Sequence, residues 1–447
     1  MVERDFMYLY KNRNNIYPNK INYHQINILF LIITFLLLFL GIRFFSVCAV
    51  FAFVLNIIVF FFLPTELIFC DLFFLLSLAS IYKYGPGTVS FFTVLELTAI
   101  VVILFREKRL DAKFTIILCI YMCYVLIVCF INSTFDLLNF VKQIMNFFIL
   151  YLFVRTVNKS IFNKVIIFYV FGVIASSIVG LFSKYIPNFY EYIRYVGAYI
   201  DGETYTRFTG LFGDPNYYSV NLILGLAGLI LLYYKKEINI IFWICFICLS
   251  LFGFLTYSKS FILMYCGVCC MFIYVCLKMK KIFITSAFFL AFIGIFILGI
   301  LGKIPIVNAI IERLTNFSDF DSLTTGRFHL WQTYIQYFID NVTSFVFGRG
   351  LVVERVGDLG AHNTYIDYLY YLGLIGTVVN LSCLYICLSN NIGKKHVNLL
   401  NFSGVAIIFV MYFFLSMFFA FDLVFHIIIA WIYFKLDLKP KKLKIGG

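Results

Sequence analysis

Apolar runs long enough to cross a bilayer recur from residue 26 to residue 434 of this 447-residue chain, and nothing else in it constrains the fold as tightly. The runs are continuous rather than alternating. That excludes a closed barrel, whose strands alternate, and leaves helices, which satisfy their own backbone polar groups in lipid. With 63% of residues hydrophobic and 13% charged, the chain is expected to be an all-α polytopic integral membrane protein.

Runs between charge clusters place spans at 26–41, 44–63, 67–82, 88–105, 114–131, 138–154, 165–182, 217–234, 238–257, 261–277, 282–301, 363–388, 400–419 and 422–434. Arg43 splits one long run, and Lys142 and Asp422 sit in or beside spans, so the count is about 12–14 transmembrane helices. The first 25 residues are polar and basic, with no short apolar core before a small-residue cleavage site. The first span is therefore expected to be the insertion signal.

Flanking charge gives the orientation. Segments 1–25, 106–113, 155–164, 235–237, 278–281, 394–395 and 435–447 hold 23 of the 35 Lys and Arg but only 6 of the 22 acids, and all fall on one side of a fourteen-span arrangement. By the positive-inside rule that side is cytoplasmic, with both termini on it. The expected order is a cytoplasmic segment 1–25, a bundle 26–182, a first outer loop 183–216, helices 217–301, a second outer loop 302–361, helices 362–434 and a basic cytoplasmic tail 435–447.

The net charge of +13 is spread over short turns that meet anionic headgroups, so it marks membrane lipids as partners and not nucleic acid. The 13 cysteines all lie in predicted spans, which rules out a disulfide framework for the loops. Cys245 and Cys248 form a CxxC; inside an apolar run they read as small packing residues.

Chemistry is concentrated in the outer loops. Ala361-His362-Asn363 opens an apolar run, so a helix starting there points free amides and its positive end at the imidazole, favouring an anion beside it. The competing reading of His362 is a plain helix-start residue at the lipid interface. Arg207 precedes a compact Gly210, Gly213, Asp214-Pro215-Asn216 turn at the membrane face, where a snorkelling arginine is the alternative. In the second loop Phe328, Trp331, Tyr334, Ile335 and Phe338 recur at helical spacing and predict an amphipathic helix. Arg327 falls in its first turn. A cation is electrostatically disfavoured there, so an anionic partner explains it better than helix stability does.

These segments resemble the O-antigen ligase and O-antigen polymerase superfamily of bacterial surface polysaccharide assembly. His362 and Asn363, then nine residues, Gly373, two residues and Gly376 match its pattern of His, Asn or Ser or Gln, nine residues, Gly, two residues, Gly. Arg207 with Gly210 and the Asp214-Pro215-Asn216 turn is similar to the family's first outer-loop arginine segment. Thr325-Gly326-Arg327 with Trp331 is similar to its second, and Gly348-Arg349-Gly350 to the glycine turn before the histidine. Thr256-Tyr257-Ser258-Lys259-Ser260 resembles a Ser-Arg turn of the family, with Lys259 in place of the arginine. A lysine cannot hold a phosphate through a bidentate fork, so that departure bears on the role of position 259.

The resemblance spans roughly residues 90–434 in layout and loop order. It implies a donor oligosaccharide on undecaprenyl pyrophosphate at the outer face of the cytoplasmic membrane. The reaction it implies is direct displacement at the anomeric carbon by an acceptor hydroxyl, with no cofactor and no metal. Arg207 and Arg327 would neutralise the departing pyrophosphate. His362 would orient or deprotonate the hydroxyl, or bind pyrophosphate as a cation; the two remain open. Lys259, Asp214, Asn216, Trp331, Arg349, Asn363, Tyr365 and Asp367 are the further candidate substrate contacts, Asp367 because it stands about one turn from His362. A polymerase, whose acceptor is a second lipid-linked repeat, is favoured over a ligase, whose acceptor is lipid A core. A chain-length regulator and a flippase are the protein partners this implies.

Two readings compete. Asp319-Phe320-Asp321 is a DxD arrangement of the kind that holds a cation in nucleotide-sugar glycosyltransferases, although two arginines make a metal redundant. A flippase or transporter would use Asp71, Glu96, Lys142 and Asp422 as pathway charges within the membrane; the absence of an internal repeat and the crowding of polar chemistry into two loops speak against it.

Overall fold

The structure, a computed structural model, describes residues 23–438 except 86–87, 89, 108–109, 187–188, 194–197, 201–202, 206, 237, 239, 282, 285, 288–289, 291–293, 295–320, 322–323, 325, 352–355, 357–359, 390–397 and 421. Its helices are α1 (Tyr23–Arg43), α2 (Val47–Phe62), α3 (Thr65–Leu76), α4 (Phe91–Glu107), α5 (Ala112–Ile131), α6 (Leu137–Thr156), α7 (Phe162–Leu181) and α8 (Phe189–Ile193). After the first long loop follow α9 (Pro215–Tyr234), α10 (Ile240–Phe254) and α11 (Lys259–Lys278). The second loop contributes α12 (Arg327–Asp340) and α13 (Val342–Phe347). The chain then forms α14 (Thr364–Ser389), α15 (Ser403–Tyr412) and α16 (Leu423–Lys435).

Every apolar run expected from the sequence carries a helix; of 282–301, which lies largely outside the described residues, those described are helical. Seven of the described helices are long and apolar enough to cross a membrane, and the chain is a polytopic helical membrane protein. Large apolar side chains left on the surface, Phe105, Phe130, Ile131 and Ile240 among them, form the lipid-facing belt that such helices require. Burial separates centre from periphery: 94% of the apolar window of α9 is inside the protein, against 33% for α5. α9 is wrapped by α7, α10, α11, α15 and α16.

Three departures from the sequence expectation have local causes. The first loop contains a two-stranded antiparallel hairpin, Ala198–Ile200 with Glu203–Tyr205, in an otherwise helical chain. The run 400–419 does not stay helical: α15 stops at Tyr412 and residues up to Asp422 form turns. Hydropathy cannot see that break because the segment is apolar. Its backbone is instead satisfied by neighbours, Thr364 Oγ1 donating to Leu415 O at 2.6 Å and Met417 N donating to Thr364 Oγ1 at 3.0 Å. The amphipathic helix α12 buries Tyr334 and Phe338 as expected, whereas Ile335 is exposed together with Ile339.

The helix that follows His362, α14, is broken at Gly373, which has φ 66° and ψ −177° inside the helix. The break frees the carbonyls of Tyr370 and Tyr371, and these accept from Arg349 N and Gly350 N, both at 2.9 Å. Gly348 and Gly373 lie back to back. A Cβ on Gly373 would stand 2.4 Å from Gly348 N, and one on Gly348 2.5 Å from Tyr371 O, so neither position admits a side chain. Gly376 leaves room for the ring of Tyr124, whose hydroxyl lies 2.8 Å from Phe347 O and 2.9 Å from Leu372 O. Both glycines of the His362 pattern therefore shape the helix below the histidine.

Candidate functional site

Five segments converge at one end of the bundle around a cavity of about 390 Å³, within the range of small-molecule sites. Arg207, Asn216, Lys259, Ser260, Asp321, Gly326, Arg327, His329, Leu330 and His362 line it. The two long loops thus meet in a single place. Among the described lining residues one carboxylate, Asp321, stands with three basic side chains, Arg207, Lys259 and Arg327.

The positions of these side chains follow from local capping. Asp214 starts α9 by accepting from Asn216 N at 2.6 Å and Tyr217 N at 3.2 Å, with Pro215 at the first helical position where its missing amide costs nothing. Ser258 caps α11 through Phe261 N at 3.3 Å. Asn363 caps α14, its Oδ1 accepting from Tyr365 N at 3.0 Å and Ile366 N at 3.2 Å. In α12, Thr324 Oγ1 takes the Phe328 amide at 3.1 Å and Asp321 Oδ1 the His329 amide at 2.9 Å. Asn216, Lys259, Arg327 and His362 stand at or beside the starts of these four helices, so four positive helix ends and three cations share one cavity.

Hydrogen bonds tie the first arginine to the lysine turn. Arg207 is nine-tenths buried; its Nε donates to Thr256 O at 2.8 Å and an Nη2 lies 3.4 Å from Asn216 Oδ1. The same Asn216 oxygen accepts from Ser258 Oγ at 2.7 Å, and Ser258 is 2.8 Å from Ser260 Oγ. On the opposite wall, the Arg327 guanidinium sits 5.9 Å from the Phe414 ring. Burial pushes its pKa down while Asp214 and Tyr217 oppose that shift, and a guanidinium with so high an intrinsic pKa keeps its charge.

His362 has φ 46°, a left-handed backbone that a non-glycine residue adopts at a cost and only when its surroundings hold it. Trp331 Nε1 donates to the carbonyl of the preceding residue, Ala361, at 3.0 Å.

Several candidates stand elsewhere. Trp331 meets the backbone before His362 and is not part of the lining. Tyr365 donates to Phe409 O at 2.9 Å and packs on Phe413, against α15. Asp367 is buried one turn into α14, outside the lining, and Arg349 belongs to the glycine turn at the Gly373 break. Asp214 and Asn363 act as caps. Of the DxD pair, Asp319 lies outside the described residues, and Asp321 lines the cavity with one oxygen on the His329 amide. Among the described residues no cluster of three or more His, Cys, Asp or Glu is placed to hold a metal. Ser260 is a lining residue that the sequence reading did not single out; the serine cap before an apolar run marked its turn.

The intramembrane charges are dispersed. Asp71 accepts from Asn27 at 2.7 Å. Glu96 and Lys142 share a small polar chamber with Thr93, Asn139, Gln143 and Asn146. Asp422 takes Asn221 Nδ2 at 3.3 Å and stands 3.5 Å from His426. Cys245 and Cys248 are free thiols on α10.

Fold and cavity together define a polytopic membrane protein with a cavity lined by three basic side chains at one end of its bundle. Residues 240–381 match the family model described as O-antigen ligase, which supports the O-antigen ligase and polymerase superfamily, whose members are glycosyltransferase-like enzymes. The matched stretch contains Lys259, Arg327 and His362; Arg207 lies before it and joins them through the fold. No curated protein and no solved structure matches the chain.

Proposed function

We propose that the protein is a metal-independent polysaccharide polymerase of the O-antigen or capsular type. It transfers an oligosaccharide from undecaprenyl pyrophosphate to the end sugar of a second lipid-linked repeat, at the outer face of the bacterial cytoplasmic membrane, with both termini cytoplasmic. The observation that carries this reading is the meeting of Arg207, Lys259, Arg327 and His362 in one cavity at four helix starts.

The acceptor hydroxyl oxygen attacks the anomeric carbon as the bond from that carbon to the pyrophosphate oxygen breaks. The bonding pair leaves with undecaprenyl pyrophosphate. Arg207 and Arg327 stabilise the charge that develops on it, each fork able to hold two phosphate oxygens, and Lys259 adds a point charge. His362 takes the hydroxyl proton. With three cations in place the reaction needs no divalent ion, so EDTA is expected to leave turnover within about twofold; loss restored by magnesium would return the cation role to Asp321. A ligase is the second reading, favoured by the description of the matching family.

Purified protein given synthetic undecaprenyl-pyrophosphate oligosaccharide is expected to yield long lipid-linked chains without lipid A core. A capped core with no elongation would establish the ligase instead. Neither product would overturn the transferase assignment. Cysteines introduced at Asp201 and Asp321 are expected to label from outside the cell, and one at Lys280 only after permeabilisation.

A further inference from the structure

We propose that Trp331 is a positioning residue for His362, through which α12 couples an anion at Arg327 to the direction of the imidazole; the coupling rests on the reading of the cavity as a pyrophosphate site. Arg327 and Trp331 are one turn apart on α12, so they move together. Both reach the ring of Phe414: the Arg327 guanidinium at 5.9 Å and the Trp331 indole at 6.4 Å. Arg327 opens into the cavity, whereas the Trp331 N–H is spent on Ala361 O at 3.0 Å.

That carbonyl belongs to the peptide linking Ala361 to His362. Ala361 is fully buried, and His362 is held at φ 46°. Such a backbone persists only when fixed from both sides. Trp331 fixes it from before. From after, Asn363 caps α14 and Thr364 is clamped to Leu415 O and Met417 N. The Trp331 bond is the one of these that comes from the element carrying a cavity cation. An anion drawing Arg327 inward therefore acts on the same rod that sets the peptide before His362. An indole stacked on a donor sugar would need a face toward the cavity, and Trp331 does not line it.

The test removes the N–H and keeps the ring. Trp331→Phe is expected to lower kcat about tenfold, the scale of one lost hydrogen bond, while KM for lipid-linked donor changes less than about twofold. A second readout needs no turnover: modification of His362 by diethyl pyrocarbonate, followed by peptide mass spectrometry with and without inorganic pyrophosphate. In the wild type pyrophosphate is expected to slow modification of His362. In Trp331→Phe the unliganded rate is expected to rise and the protection to shrink. Wild-type kcat with an unchanged modification rate would overturn the proposal, as would a loss confined to KM. If Trp331→Phe aggregates, 3-benzothienylalanine at position 331, which puts sulfur in place of the N–H at nearly the same shape, carries the same test. A wild type inactive in transfer but showing this protection pattern would sink the polymerase reading and leave the coupling standing.

Discussion

The chain places polar side chains in two cavities that differ in charge and in space. At the loop end, about 390 Å³ is ringed by Arg207, Lys259, Arg327 and His362, with Asp321 partly committed to a backbone amide. Within the bundle, Glu96, Lys142, Asn139, Gln143 and Asn146 surround about 10 Å³, room for one water. The inner chamber sets an acid against a base: Lys142 is the cation acting on Glu96, and Tyr121 donates to Gln143. Gln143 Nε2 is buried there with no hydrogen-bond partner among the described residues. The outer cavity gathers three basic side chains and keeps volume open between them, the arrangement on which the proposed pyrophosphate site rests. Intramembrane charge is therefore a weak guide to a site unless it comes with space and one sign.

The contrast is broken most sharply at His362. His362→Ala is expected to cut transfer by about a hundredfold to ten-thousandfold, with insertion, stability and donor binding retained, because the residue stands before a helix and not in packed interior. Normal chain assembly, or loss through degradation alone, would move His362 to the structural side of the comparison. His426, buried among Tyr412, Asn221 and Asp422, is the opposite case: its replacement is expected to lower thermal stability in detergent.

Next in size are the arginines. Arg207→Lys and Arg327→Lys are expected to lose about tenfold or more in turnover despite keeping charge, and the alanine variants about a hundredfold or more. Near-wild-type product from both lysine variants would reduce them to topology markers. For the inner chamber the expectation reverses: Lys142→Met should lower the melting temperature, Glu96→Gln with Lys142→Met should restore much of it, and turnover of the double variant should stay within about threefold of wild type. A dead but stable double variant would make the chamber part of the reaction. The smallest effect is at Lys259, where Lys259→Arg is expected to change donor KM by no more than about threefold, because the site already holds two guanidinium forks.

Much of the cavity was legible because its residues announce themselves against an apolar background. Cations in first turns, such as Arg327 and Lys259, contradict helix electrostatics and so point to an anion. What stayed hidden depends on three-dimensional neighbours. Trp331 was a candidate substrate contact, and the partner of its indole N–H proved to be a carbonyl thirty residues away. Tyr365 and Asp367 follow His362 in sequence yet do not line the cavity. The end of α15 was illegible because turns and helix are equally apolar there.

The break at Gly373 makes the opening part of α14 a lever. Residues 364–372 span about 13 Å at 1.5 Å per residue. A tilt of about 10° about the glycine pivot would swing the histidine by about 2 Å, enough to make or lose a productive contact with a reacting hydroxyl. The pivot has no side chain to adjust, since its two glycines meet backbone to backbone. Its stiffness is then set by the pair of amides from Arg349 and Gly350 that grip the carbonyls beside it, at the far end of the arm from His362.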